Sequence, residues 1–192
     1  MNAPAAAALA LAGPDEAADL GGYLTRLLRF DKAAAVRVVA SGAAVGVYGR
    51  PPFDVLTLRT LALAAEALPR PLAGATAWTG FLPPRTGWQP VGELPVAEVE
   101  TAALAAIGEF KQRAETIPDR ERTRAAVDRV AAEIWDRPLS LGLPVRAAHA
   151  ARAMGFLGPA QSAATAVRSA GRWLRLDAPY GTIVLRTGSG LL

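Results

Sequence analysis

A chain of 192 residues with no cysteine and a single histidine excludes a disulfide framework, thiolate chemistry and a dedicated cysteine or histidine metal centre. Its net charge of +4 is unevenly spread. Residues 1 to 110 carry eight Lys or Arg against ten Asp or Glu, a balance of −2, and residues 111 to 192 carry thirteen against seven, a balance of +6. The basic portion suits an anionic partner.

The first stretch, through Gly13-Pro14, is rich in alanine and lacks a basic segment ahead of its short apolar run. It reads as a flexible leader over residues 1 to 19 rather than an export signal. No apolar run reaches the roughly 20 residues that cross a bilayer. These features lead to the expectation of a soluble, cytoplasmic protein with no integral membrane association.

Leu20, Leu24, Leu27 and Leu28 recur at helical intervals and predict a short helix. The period then changes. Residues 34 to 39 and 43 to 48 read as two strands joined at Ser41-Gly42, and Phe53 to Leu63 reads as a third, which gives an antiparallel meander needing a covering helix. Pro, Gly and Trp dominate residues 68 to 95, where only short strands are expected, near Thr76 to Phe81 and Trp88 to Val91.

A helix over about 95 to 115 follows from the stripe Val96, Val99, Ala103, Ile107 and Phe110. Ile117-Pro118-Asp119 breaks it, and Val127, Val130, Ala131, Ile134 and Trp135 predict the next helix. Pro144 opens another that Gly155 closes, and the alanines at 163, 164 and 166 predict a short helix over residues 160 to 169. The chain ends in two alternating runs, 173 to 176 and 182 to 186, which read as a hairpin. In that hairpin Leu174 and Leu176 share one face, and Trp173, Arg175 and Asp177 share the other.

The fold class is therefore α+β. Its working division is a leader over 1 to 19, an α+β domain over 20 to 118 with an antiparallel meander, and a helix-plus-hairpin domain over 119 to 192. The order helix, helix, helix, hairpin over residues 120 to 187 resembles a winged helix-turn-helix domain. That resemblance implies a helix in the major groove of double-stranded DNA and a hairpin on its phosphates. Arg168, Arg172, Arg175 and Arg186 are then the anion-contact candidates, with Arg146 and Arg152 reaching the backbone from the preceding helix. The helix over 160 to 169 is poor in base-reading side chains, so phosphate contact is expected to outweigh sequence recognition.

Chemistry is less well supported than binding. Gly42, Gly46 and Gly49 are not followed by the Lys-Ser or Lys-Thr of a phosphate loop, and Thr187-Gly188-Ser189-Gly190 is no nucleophile elbow. No catalytic residue, cofactor or metal ligand is assigned. Two local groups, Tyr48 with Arg50 and Asp54, and Trp78 with Arg85 and Trp88, have the composition of a small-ligand pocket, though turn formation explains both. The expected function is a non-enzymatic DNA-binding or regulatory one. The alternative is a protein-interaction or assembly role, as a homodimer or with another protein, resting on Trp173 and the small helical residues.

Overall fold

The computed structural model describes residues 10–67, 81–159 and 163–188. Helix α1 spans Pro14–Phe30, with Pro14 in its first turn beside Asp15 and Glu16, and Arg29 in its last. This charge order complements the helix dipole. Strands β1 (Arg37–Gly49) and β2 (Leu56–Ala67) follow, then β3 (Gln89–Pro95), which runs directly into helix α2 (Val96–Thr116). Helices α3 (Arg124–Trp135) and α4 (Val145–Ala153) are linked by a short 3-10 turn at Ser140–Gly142, and β4 (Ala164–Ala170), β5 (Trp173–Ala178) and β6 (Gly181–Arg186) complete the order.

The six strands among the described residues join one antiparallel sheet in the order β1-β2-β6-β5-β4-β3. The α+β class is thus realised as a single sheet with helices. Residues on both sides of position 118 contribute to it, since β3 pairs with β4. The described helices include none long and apolar enough to cross a membrane.

One face of the sheet meets the helices. Val45, Val47, Leu61, Val167, Leu174, Leu176, Ile183 and Leu185 are buried there with Tyr23 and Leu27 of α1 and the alanines of α4. Four of those alanines, at 147, 148, 150 and 151, are wholly buried. Side chains this small let the α4 backbone approach α2 and β6 closely, and the larger neighbours supply most of the apolar area. Inside this layer Thr57 Oγ1 donates to the Gly49 carbonyl at 3.2 Å, so the Tyr23 hydroxyl donates to Thr57 Oγ1 at 2.8 Å.

Two local expectations change. The short strands on either side of Ser41-Gly42 run together as β1: Gly42, at φ +56°, sits at a register shift against β2 rather than at a chain reversal. A bulge absorbs a glycine of this kind as readily as a turn does. The helix expected over 160 to 169 is not formed; residues 164–170 are β4, and 160–162 lie outside the described residues. Thr165 and Val167 alternate with Ala166 and Arg168, and pairing with β3 on one side and β5 on the other outweighs the helix propensity of alanine. Helices α3 and α4 are consequently followed by a three-stranded meander, not by a third helix and a wing.

The expected strand near Trp88 to Val91 appears as β3, at the sheet edge, where Pro90 and Pro95 are tolerated. The one expected over Thr76 to Phe81 falls outside the described residues apart from Phe81, which is irregular.

Candidate functional site

No described helix covers the second face of the sheet, and register fixes which residues lie on it, Leu56 and Val184 among them being buried. Directly opposed residues of antiparallel strands share a face. Leu56 pairs with Val184, Val184 with Arg175, and Arg175 with Arg168. In the neighbouring row Tyr48 pairs with Leu58, Leu58 with Thr182, and Thr182 with Asp177. Trp173 pairs with Arg186. The grouping of Trp173, Arg175 and Asp177 on the face opposite Leu174 and Leu176 is as expected from alternation.

Guanidinium groups and rings interleave on this face. The Arg175 guanidinium lies 5.6 Å from the centre of the Trp88 ring, and that of Arg186 lies 5.6 Å from the centre of Trp173. Trp88 is held in place by its indole N–H, which donates to the Pro84 carbonyl at 2.9 Å. Asp177 accepts from Arg175 Nε at 2.6 Å, from Thr182 Oγ1 at 2.8 Å and from Arg168 Nε at 3.3 Å. This carboxylate keeps two like charges side by side and fixes their directions.

Residues 83 to 88 fold over the β1 side of the face and enclose a groove of about 260 Å³ lined by Tyr48, Leu58, Arg85, Trp88, Arg175 and Val184. Burial raises the pKa of the Tyr48 hydroxyl above its ordinary value, and Arg175 and Arg85 oppose that rise. The phenol therefore stays protonated and available as a hydrogen-bond donor at neutral pH.

The six arginines singled out from the sequence divide by face. Arg168, Arg175 and Arg186 stand together on the helix-free face, and exposed Arg172 occupies the β4–β5 turn at its edge. Arg146 and Arg152 are on α4, behind the sheet, where Arg146 pairs with Asp136 and Asp54 and Arg152 lies 3.8 Å from Glu100. They share no surface with the other four. Sequence reasoning placed Tyr48 with Arg50 and Asp54, and Arg85 with Trp88 and Trp78. The fold instead brings Tyr48 to Arg85 and Trp88, while Arg50 and Asp54 line a different depression with Asp31, and Trp78 lies outside the described residues.

Residues 83–190 match the domain of unknown function DUF8185, more than half of the chain. The chain belongs to the DUF8185 family. Residues 4–79 match a second domain of unknown function, DUF8010. No curated protein and no solved structure matches the chain. Strands β3 to β6 of the interleaved face, with Trp88 and Arg85, fall inside the DUF8185 match, and Tyr48 comes from the DUF8010 match.

Proposed function

We propose that this DUF8185 protein is a non-enzymatic, nucleic-acid-binding or regulatory protein, and that the helix-free face of its sheet holds a single strand. The observation that carries the reading is the alternation of Arg168, Arg175, Arg186 and Arg85 with Tyr48, Trp88 and Trp173 on one surface. Guanidinium groups neutralise phosphates, and half-buried rings such as these can offer an edge or a face to bases that a single strand splays out.

A single strand is favoured over a duplex for a structural reason. Residues 164–169 of the helix expected to enter a major groove form β4, paired between β3 and β5, and a sheet face cannot reach the base edges of a duplex as a protruding helix does. Asp177 tempers the positive charge of this surface and sets the direction of the Arg168 and Arg175 side chains. Arg172 extends the same surface toward the β4–β5 turn.

Fluorescence anisotropy of labelled single-stranded and duplex oligonucleotides tests this. Binding to the single strand should weaken steeply as salt rises, and Arg175→Ala or Arg186→Ala should each lower the log-log salt slope by about 0.7 if one phosphate contact is lost. Absence of salt-dependent binding at about 50 mM salt overturns the proposal. Tighter binding to the duplex overturns the single-strand part of it.

A further inference from the structure

A second site stands behind the sheet, where α2, α3 and α4 meet the Pro51–Asp54 turn. A cavity of about 510 Å³ opens there between Phe53, Ile107, Phe110, Trp135, Arg146 and His149. Its volume lies within the usual range of small-molecule sites. The rings form one connected wall: Trp135 stacks on His149 with centroids 4.5 Å apart, Phe53 and His149 meet in a T-shaped pair at 4.8 Å, and Phe110 tilts against Trp135 at 5.8 Å. Flat rings held in this way expose faces that favour positive charge.

The rim points the same way. Asp54 and Asp136 line the cavity and both pair with one guanidinium, that of Arg146, so the lining carries an excess of one negative charge. Including Asp31 and Arg50 from the adjoining depression leaves that excess unchanged. His149 does not offset it, because burial and the nearby Arg152 both hold its imidazole below its ordinary pKa, and Arg152 itself is engaged with Glu100. Asp54 holds a left-handed backbone, φ +53°, at this rim. Conformations of this kind in residues other than glycine cluster at ligand clamps.

We propose that this cavity binds a small organic cation, an amine carried on a flat apolar body, with the body against Phe110, Ile107 and Trp135 and the ammonium toward Asp54 and Asp136. Aromatic walls alone would accept any apolar compound. The two carboxylates select the positively charged one and reject a carboxylate of the same shape. This site uses none of the residues of the sheet face and stands independently of nucleic-acid binding.

Tryptamine, indole and indole-3-propionate form the test series, with the single histidine as reporter, since its imidazole resonances need no assignment by mutation. Tryptamine should shift them saturably, and indole-3-propionate should bind roughly tenfold more weakly or not at all. Ala131→Leu, which fills the cavity from α3, should abolish the effect, and Asp136→Asn should bring tryptamine close to the affinity of uncharged indole. Should the Leu variant fail to fold, the comparison of the three probes on the native chain decides alone. Absence of a saturable shift with tryptamine, equal binding of the amine and the acid, or binding that survives in folded Ala131→Leu overturns the proposal.

Discussion

Arg168 and Arg175 face each other across β4 and β5, and the same carboxylate, Asp177, accepts a hydrogen bond from both. Like charges directly opposed on a sheet are destabilising unless something lies between them. Asp177 is therefore both a structural clamp and a brake on the positive potential of the helix-free face.

Replacing Asp177 with Asn keeps its shape and removes its charge. Affinity for single-stranded oligonucleotide should rise a few-fold, while stability should fall by up to about 1 kcal/mol, because the groups are partly exposed. Anisotropy and urea denaturation on the same variant check the two opposite signs. A variant that loses affinity would mean that arginine direction matters more than net charge.

Tyr23 joins α1 to the sheet through Thr57, which in turn bonds the Gly49 carbonyl. Tyr23→Phe should cost about 1 to 3 kcal/mol, because it leaves a buried threonine oxygen without its donor. Gly49 is adjacent, and a Cβ there would stand 2.5 Å from the Tyr23 hydroxyl and 2.8 Å from a Leu27 methyl. Gly49→Ala should therefore also lower the urea midpoint, by displacing α1 rather than by straining the strand.

Thr123 caps α3 by accepting from the Ala126 N–H at 3.2 Å. Thr123→Ala should cost about 1 kcal/mol in a denaturation midpoint. Because α3 forms one wall of the rear cavity, the same variant should weaken tryptamine binding without altering oligonucleotide binding.

His149 makes stability depend on pH with a defined sign. Its folded pKa lies below the ordinary 6.5, chiefly through burial and secondarily through Arg152. On acidification the unfolded chain takes up this proton first, so the stabilisation is fully present above 6.5 and is lost as the pH falls from there through the folded value. Urea midpoints of the native chain and of His149→Phe, compared above and below this window, should show that part of the slope disappear in the variant.

Much of the fold was legible where periodicity was strong. Helices α2 and α3 and the hairpin of β5 and β6 were readable from apolar spacing alone, and so was the face shared by Trp173, Arg175 and Asp177. Strand β4 was hidden because its alanines favour a helix and one of its two pairing partners, β3, is remote in sequence. The split among the six arginines was hidden for a related reason: spacing along a chain does not reveal which side of a sheet a helix occupies. Tyr48 was grouped with its sequence neighbours Arg50 and Asp54, yet its place opposite Leu58 in β2 turns it toward Trp88 and Arg85.

The seam between β2 and β6 is made of three residue pairs, Leu56 with Val184, Thr57 with Ile183 and Leu58 with Thr182. Residues 10–12 also hydrogen-bond β2, at Ala62 and Ala64, so β2 has partners within the DUF8010 match, and β6 is its link to the DUF8185 match. A change that loosens these three pairs would therefore part the two matched regions along a single line, each left with an open strand edge.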